Sequence, residues 1–386
     1  MEAAKSRSKT GKPKRSGKLK TKAAINLSPA IGSSLHNWLS NLLAYGPPSW
    51  KFIPRVLFVT LVSLIGLPFR MWESWRLRKK LKATRLADDP VFIIGHWRGG
   101  TTLLHNILCE DPQFGYITMI QALFPRSFMT TRFFRWFLQF AMPPTRPMDN
   151  MELTIDAPQE DELALSNMTR NSLYNGWHFP WRLMDFYRRW VEFEGISQEG
   201  RDTWWREYHR LLKRATLNSG GKRLVLKNPA HTPRMLEILR RYPNARFVHI
   251  YRNPFEVFLS TRHLYRSAVT PFIVQKYPEA KMDRDFVQIY ARMMKKFFAD
   301  EKKMPTDRLY TIRFENFHEN PMGTLEELYR TLGINGFERA RPHFQRYLES
   351  QGDYRQNSYS MTEEDKSTVQ RHWGFAVEHW GYTVPE

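Results

Sequence analysis

The sequence predicts an α/β fold built on an open parallel sheet with helices on both of its faces. Short, almost continuously apolar runs alternate with stretches of helical periodicity from Pro90 onward. Such runs are typical of strands buried on both faces, which occur in parallel sheets. The chain of 386 residues is 42% hydrophobic, and this is enough to bury a substantial core.

Residues 1–22 form a basic tail that we expect to be disordered. They carry nine Lys or Arg residues and one acid, a net +8 within the +21 of the whole chain. A tail of Lys, Ser and Gly without apolar residues cannot pack, and it lacks the apolar stretch of a secretory signal. An anionic membrane surface is a suitable partner. No specific nucleic-acid partner is expected, because the chain has no zinc-finger, RNA-recognition or basic-zipper signature.

Residues 23–85 are predicted to be a helical, membrane-associating segment. Its apolar run, Val56 to Phe69, is closed by Arg55 and Arg70. The fourteen residues of this run make a helix of about 21 Å, whereas a bilayer core measures ~30 Å, so a full span is not expected. The tryptophans and basic residues of "RMWESWRLRKKLKATR" suit a headgroup region. This predicts a peripheral or monotopic protein on the cytoplasmic face of a membrane; a buried helix in a soluble cytoplasmic protein is the alternative.

Residues 86–386 are predicted to form the α/β domain. Its stretch of about 123–215, rich in Phe, Trp, Arg and Pro, is expected to be a subdomain that covers the acceptor. Four runs are the clearest strands: "VFII" (91–94), "LVL" (224–226), "RFVHIY" (246–251) and "RLYTIRF" (308–314).

The stretch "PVFIIGHWRGGTTLLHNIL" (90–108) predicts a strand, a tight turn and a helix. The N–H groups of such a turn and the positive end of the next helix form an anion site, so the predicted fold is P-loop-like. The Walker A pattern, however, needs a lysine just before the hydroxyl residue. Here Gly100 precedes Thr101, and the cation of the loop, Arg98, comes earlier. The candidate ligand is therefore a phosphate that is not held by a Walker A lysine.

A second anion site is predicted in "ARFVHIYRNPFEVFLSTRH" (245–263). Arg252 stands at the end of a strand and Ser260 about two helical turns further on, so both are suited to grip one phosphate. The alternative is an arginine paired with a local acid and a serine bonded to its own helix. Ligands of open parallel sheets bind outside the carboxyl ends of the strands, so both anion sites should face one crevice. One ligand with two separated phosphate groups would satisfy both.

Together the two motifs resemble those of the sulfotransferases that use 3′-phosphoadenosine 5′-phosphosulfate, in particular the bacterial-type branch with a G-H-x-R-S/G-G-T-T loop. The resemblance covers about residues 85–335 and implies this compound as the sulfonate donor. It implies that Arg252 and Ser260 hold the 3′-phosphate. It implies that the 5′-phosphosulfate is held by Arg98, Gly99, Gly100, Thr101 and Thr102. The family usually has a serine where this chain has Gly99, so the contact of that serine is not expected here.

Sulfonate transfer to a hydroxyl needs cations around the sulfonate and a base near the acceptor. By analogy with phosphoryl transfer, catalysis is mostly in-line positioning and electrostatic stabilisation. Arg98 and Lys227 of "LVLKNPAHTPRML" are the predicted cations, and His231 is the first choice of base. Three acids of "APQEDELAL" are alternative bases, unless they only start a helix: Glu160, Asp161 and Glu162.

No metal is expected, because the histidines lack ligand spacing and the scheme requires no magnesium. The acceptor class is open among alcohols, phenols, amines, sugars and lipids. The apolar run 56–69, about twenty residues before the loop, favours a lipid or amphiphile, with the aromatic stretch "FFRWFLQF" (133–140) as a second membrane contact.

Two other functions are weighed against sulfonate transfer. A P-loop kinase would need a lysine at the end of the loop and a magnesium-holding aspartate at a strand end, where this chain has Lys227 and Arg252. A non-enzymatic, basic membrane-binding protein would leave Arg98 and Arg252 without a purpose. Both alternatives are therefore less suited to the sequence than a sulfotransferase.

Overall fold

The computed structural model describes residues 28–131, 135–142, 153–351 and 360–385. The predicted basic tail lies outside these residues, as do residues 133 and 134 of the aromatic stretch. The predicted acceptor-covering stretch is described apart from residues 132–134 and 143–152.

The described residues contain one sheet, and all of its strand pairs are parallel. The strands are β1 (Val91–Ile94), β2 (Phe114–Gly115), β3 (Arg223–Lys227), β4 (Arg246–Tyr251) and β5 (Leu309–Arg313). Their order is β2-β3-β1-β4-β5, so that β1 lies at the centre. The predicted parallel sheet is confirmed. The short strand β2 was not predicted, because two residues are too few to show a periodicity.

The helices lie before, between and after the strands. They are α1 (Leu35–Tyr45), α2 (Ile53–Ala83), α3 (Thr101–Cys109), α4 (Met119–Leu123), α5 (Phe128–Thr131), α6 (Arg135–Ala141), α7 (Asp161–Met168), α8 (Asn175–His178), α9 (Leu183–Trp190), α10 (Gln198–Asn218), α11 (Met235–Arg241), α12 (Pro254–Ser267), α13 (Glu279–Glu301), α14 (Phe314–Glu319), α15 (Pro321–Thr331), α16 (Phe337–Ser350) and α17 (Glu363–His379). Short 3₁₀ helices are Pro29–Gly32, Trp50–Phe52, Pro180–Arg182 and Pro229–Arg234.

Two hydrophobic cores lie on opposite faces of the sheet. Along β1, Phe92 and Ile94 belong to the core beneath α10, α12, α13 and α17, whereas Val91 and Ile93 belong to the core beneath α3, α15 and α16. Successive side chains of a strand point to opposite faces, so both faces of the sheet are covered. Burial of a large side chain such as Phe92 stabilises the fold by about 1.5–3 kcal/mol. This confirms the predicted sheet with helices on either side.

The helix α2 is much longer than the apolar run that predicted it. It spans 31 residues and continues through Pro68, which is tolerated inside the helix. Among the described residues, one segment, Trp50–Ala83, has the length and apolar composition that would allow a membrane crossing. The predicted limit of about 21 Å therefore applies to the apolar run and not to the helix. One face of α2 packs with α1 on a third core, which includes Val56, Val59 and Trp38.

Candidate active site

The loop between β1 and α3 has an unusual backbone that only glycine permits at two positions. The φ angles of Gly95, Arg98 and Gly100 are 137°, 69° and 98°. A Cβ atom on Gly95 would lie 2.3 Å from the carbonyl oxygen of Ile250, and one on Gly100 would lie 2.3 Å from the ring of Phe314. Arg98 adopts a left-handed conformation despite its side chain, which costs about 1–2 kcal/mol and is a strain often found at functional sites.

The same loop leads into the free N-terminus of α3. No side chain caps this helix, which begins with Thr101 and Thr102 after Gly100. The first N–H groups of α3 therefore have no intrahelical partner, as the predicted anion site requires. Gly99 leaves little space, since a Cβ atom there would lie 3.1 Å from the carbonyl oxygen of His96. The predicted residues Arg98, Gly99, Gly100, Thr101 and Thr102 thus lie together at the N-terminus of α3.

Thr232 fixes the start of the loop, a contact that the sequence did not predict. Its hydroxyl accepts a hydrogen bond from Gly95 N at 2.8 Å and donates one to Gly95 O at 3.1 Å. His96 follows in the loop and is buried, and burial lowers its pKa to about 3. His96 is therefore neutral at pH 7, and the positive charge of the loop comes from Arg98.

The two predicted anion motifs meet directly. Arg98 Nε donates a hydrogen bond to Ser260 Oγ at 2.8 Å, although the residues are 162 positions apart. The contact arises because β1 and β4 are neighbours, so that the loop after β1 lies beside α12 after β4. The sequence signals of α12 are also present, with Asn253 as the capping side chain and Pro254 in the first turn. The two motifs therefore lie side by side at this edge of the sheet.

Arg252 directly follows β4, and its guanidinium contacts a carboxylate and an aromatic ring. It forms an ion pair with Glu256 one helical turn later, and it lies 4.8 Å from the ring centroid of Phe314. The local pairing that the sequence left open as an alternative is therefore present for Arg252. The Glu256 side chain is half exposed, so this ion pair contributes little to stability.

Lys227 lies between the loop and Glu160 at the carboxyl edge of the sheet. Its Nζ atom lies 2.6 Å from Glu160 Oε1 and 3.4 Å from Thr102 Oγ1. Lys227 is delivered there because it ends β3, opposite Ile93 of the adjacent strand β1. Lys227 is buried, whereas the Glu160 side chain is 13% exposed. Within this ion pair, Glu160 is therefore the more accessible to solvent.

A tyrosine and a tryptophan connect Glu160 to the loop. Tyr174 OH donates a hydrogen bond to Glu160 Oε2, and Trp97 Nε1 in the loop donates to Tyr174 OH at 3.0 Å. Burial and the negative charge of Glu160 raise the pKa of Tyr174 well above its usual value, so the phenol keeps its proton. Tyr174 also stacks on Trp177 with 3.8 Å between ring centroids. No sequence signal marked Tyr174, because a lone tyrosine in an aromatic stretch fits ordinary core packing equally well.

Glu162, a predicted alternative base, is a buried structural group. It accepts hydrogen bonds from Arg234 and Asn228 at 2.9 Å each on Oε2, and from Ser172 and the Leu173 N–H on Oε1. Burial alone would raise the pKa of Glu162, but Arg234 and the other donors lower it to about 2. A fully occupied carboxylate of such low pKa does not favour a role as a base.

His231 is enclosed by protein groups and is not accessible to solvent. Its ring is fully buried, with Nε2 at 2.8 Å from both Asp161 Oδ2 and Tyr208 OH and Nδ1 at 3.1 Å from Arg234 Nη1. Because a guanidinium only donates, Nδ1 accepts and we assign the proton of a neutral ring to Nε2. The 3₁₀ helix Pro229–Arg234 turns this ring inward. Its role as the base stays a prediction that this geometry does not favour.

The described part of the chain contains no group of three His, Cys, Asp or Glu side chains that could hold a metal ion.

Comparisons with known proteins agree on one family. The sulfotransferase family model matches residues 90–339 of the chain. The omega-hydroxy-beta-dihydromenaquinone-9 sulfotransferase Stf3 of Mycobacterium tuberculosis is 31% identical over 357 residues, which cover 91% of this chain and 90% of that protein. The protein of the same name from Mycobacterium bovis has the same identity and coverage.

Two solved structures share the fold at low sequence identity. The crystal structure of sulfotransferase STF1 from Mycobacterium tuberculosis has a TM-score of 0.65 at 19% identity, covering 91% of this chain and 93% of that one. Sulfotransferase STF9 from Mycobacterium avium has a TM-score of 0.63 at 14% identity, covering 81% and 82%.

Proposed function

The chain belongs to the sulfotransferase family, and on that premise we propose that it transfers a sulfonate group from 3′-phosphoadenosine 5′-phosphosulfate to the hydroxyl of a membrane lipid. The hydrogen bond between Arg98 and Ser260 carries the proposal for the donor. It joins a loop suited to a 5′-phosphosulfate to a helix suited to a 3′-phosphate. A nucleoside triphosphate has no 3′-phosphate and would leave the second site unused, so the kinase alternative loses its support.

The donor would be held by the two anion motifs. The loop and the N-terminus of α3 offer N–H groups to the phosphosulfate, and Thr101 and Thr102 offer hydroxyls. Arg252 would exchange Glu256 for the 3′-phosphate, next to Ser260. This exchange replaces a half-exposed carboxylate by a doubly charged group in a partly buried site, which favours binding.

Arg98 and Lys227 would stabilise the charge that develops during transfer. The donor supplies a sulfonate on an anionic leaving group, so the protein provides mainly fixed positive charge and alignment. Both cations lie at the loop, and Lys227 is already desolvated. Its Nζ atom therefore acts at low dielectric, where a charge has most effect.

We propose Glu160 as the general base, in preference to His231. The acceptor oxygen would bond to sulfur as the bond from sulfur to the bridging phosphate oxygen breaks, and the acceptor proton would move to Glu160. The products are a sulfate ester and 3′-phosphoadenosine 5′-phosphate. Glu160 is the acid that reaches both solvent and Lys227, while both ring nitrogens of His231 have buried partners. Tyr174 would hold the carboxylate of Glu160 in place.

The lipid acceptor is supported by the names of the relatives. The named relatives act, by their names, on an omega-hydroxy-beta-dihydromenaquinone-9, and the identity to them extends over 91% of this chain. We therefore propose an acceptor of this class, an apolar lipid with a terminal hydroxyl. Such an acceptor agrees with peripheral or monotopic binding on the cytoplasmic face of a membrane.

Calorimetric titration with 3′-phosphoadenosine 5′-phosphate and with ATP tests the donor. We expect the first to bind and ATP to bind far more weakly. Tight binding of ATP without a response to the first compound would overturn the donor proposal. Transfer of radiolabelled sulfonate to hydroxylated menaquinone in detergent, compared with a water-soluble phenol, tests the acceptor. A preference for the phenol would contradict the lipid acceptor but leave the donor intact.

A further inference from the structure

The exposed apolar side chains of the protein are concentrated in one place. Of the 19 exposed large apolar side chains among the described residues, 16 lie on α1, α2, α6 or the short turn before α2. Soluble monomers rarely expose apolar patches larger than a few hundred Å². This concentration therefore indicates an interaction surface rather than scattered surface residues.

The helix α2 has a buried stripe and an opposite apolar stripe. The buried residues are Val56, Val59, Ser63, Arg70, Glu73 and Leu77. The apolar stripe lies about half a turn away and contains Leu57, Leu61, Leu64, Ile65, Trp72 and Trp75. Its members follow one another at helical spacing, with 63% of Leu57 and 76% of Trp75 exposed.

The helix α6 adds to this surface from a distant part of the sequence. Leu138 packs on the same core as Val56 and Val59 of α2. Trp136 and Phe140, one turn apart, are both exposed on the side of α6 away from Leu138. Both helices thus dock on one core and present apolar side chains away from it.

The polar contacts of the buried stripe hold α2 against the domain. Glu73 forms a buried ion pair with Arg214 of α10 at 3.3 Å and accepts hydrogen bonds from Thr130 N at 2.9 Å and Thr130 Oγ1 at 3.0 Å. Ser63 donates to the carbonyl of Ser33 at 3.0 Å. A transmembrane orientation would pull α2 away from the domain, break the contacts of Glu73 with Thr130 and leave Arg214 buried without its partner, which is strongly unfavourable. The helix is therefore suited to lie along a membrane and not to cross it.

The charges around the apolar stripe match an anionic lipid surface. The one acid of α2, Glu73, is buried, so the exposed side of this helix carries no negative charge. Lys79 and Lys82 follow Trp75 by one and two helical turns and are exposed. Tryptophan at the edge of an apolar stripe, followed by lysine, is typical of helices in the headgroup region.

We propose that α2 and α6 form a bilayer-docking face, with both helices lying in the plane of an anionic leaflet. The face is also connected to the active site. Gln139 of α6 accepts a hydrogen bond from Ile155 N at 2.9 Å, and Arg135 pairs with Asp156. The chain then continues from residue 156 directly to Glu160, where α7 begins. Docking would thus hold Glu160, the proposed general base, near the lipid headgroups. The docking face itself does not depend on the proposed function. Only the link to Glu160 and to a lipid acceptor rests on that proposal.

Sedimentation of the full chain with vesicles of phosphatidylcholine, with and without phosphatidylglycerol, tests the docking face. The triple variant Leu57→Ser, Leu61→Ser, Ile65→Ser should bind either vesicle at least tenfold more weakly at all salt concentrations. Lys79→Glu with Lys82→Glu should weaken binding only to the anionic vesicles and only at low salt. Trp181→Ser, an exposed aromatic residue outside the face, is the matched control and should bind as the wild type. Binding of the triple variant equal to that of the wild type, or no binding by the wild type, would overturn the proposal.

Nitroxide labels separate a helix in the plane from one that crosses. Labels on the separate variants Leu57→Cys, Leu64→Cys and Trp75→Cys should all report similar, shallow depths. A deep label at position 64 with shallow labels at 57 and 75 would indicate a span and overturn the proposal. Affinity for 3′-phosphoadenosine 5′-phosphate serves as the fold check, since it should be equal in wild type and variants. If the wild type does not bind vesicles but retains this affinity, the docking face is wrong and the proposed donor stands.

Discussion

The carboxyl edge of the sheet and the outer face of α2 depart from the usual distribution of residues in opposite ways. At the sheet edge charged groups are buried, among them Lys227, Glu162 and Arg234, whereas on α2 large apolar groups such as Leu57 and Trp75 are exposed. Both arrangements are costly in an isolated protein, because desolvated charge and hydrated apolar surface each raise the free energy. We therefore infer that each region is suited to a different partner, an anionic ligand at the edge and a lipid at the helix.

The largest effect is expected when the buried cation is removed from the sheet edge. Lys227→Met preserves most of the side-chain volume but removes the charge beside the loop. We expect kcat to fall by about 10²–10³-fold, as when a preorganised group is lost from a transition state. Lys222→Met, an exposed lysine just before β3, is the control and should leave kcat unchanged. An unaltered kcat in Lys227→Met would show that Lys227 has only a structural role.

A second pair of variants tests whether the base is the partly accessible Glu160 or the buried His231. Glu160→Gln should lower kcat by about 10²-fold with donor binding nearly intact. His231→Gln should instead lower the free energy of unfolding by about 1–3 kcal/mol, because Asp161 and Arg234 lose a buried partner. Activity assays of the purified, folded variants measure kcat, and urea unfolding measures the free energy of unfolding. Loss of activity in His231→Gln with activity retained in Glu160→Gln would make His231 the base, as the sequence alone preferred.

The buried carboxylate of Glu162 should make stability depend on acid pH. Folding lowers the pKa of Glu162 from 4.5 to about 2, so its contribution is present above pH 4.5 and is lost as the pH falls towards 2. We expect the wild type to lose about 1 kcal/mol more per pH unit in this window than Glu162→Gln does. Glu279→Gln, an exposed partner of Arg266, is the control. Parallel stability curves for the wild type and Glu162→Gln would contradict the low pKa.

A smaller effect is expected from the tyrosine that holds Glu160. Tyr174→Phe keeps the ring stacked on Trp177 but removes one hydrogen bond to a charged group, so kcat should fall about tenfold. Donor affinity should not change if Tyr174 only positions the base. Tyr187→Phe is the matched control, because it removes a buried hydroxyl that has no hydrogen-bond partner among the described residues. Equal kcat in Tyr174→Phe and the control would remove Tyr174 from the site.

The smallest effect concerns the exposed end of the same edge. Glu256→Gln removes the carboxylate that competes for Arg252, and exposed pairs one turn apart are worth about 0.3–0.5 kcal/mol. Affinity for 3′-phosphoadenosine 5′-phosphate should therefore rise about twofold, and calorimetry can resolve this change. Weaker binding in Glu256→Gln would mean that Glu256 orients Arg252 rather than competing with the phosphate.

Local sequence patterns predicted the frame of the site well. The strands β1 and β4 have the predicted bounds, and each continues into its predicted anion motif. Strand periodicity and helix capping depend on residues a few positions apart, so a single sequence displays them. The length of α2 was missed, because the apolar run ends at Phe69 while the helical backbone continues to Ala83.

Local patterns were therefore enough to predict the parallel sheet, the two anion motifs and their common edge, since parallel strands place their carboxyl ends together. Which side chains meet at this edge depends instead on how the chain packs. Lys227 and Glu160 are 67 residues apart, and the inward turn of His231 depends on Asp161 and Arg234 packing around it. The tertiary structure also decided which side of α2 is buried, because that depends on the partners of Glu73 in α5 and α10. Burial and long-range pairing are properties of the packed chain, and no local pattern encodes them.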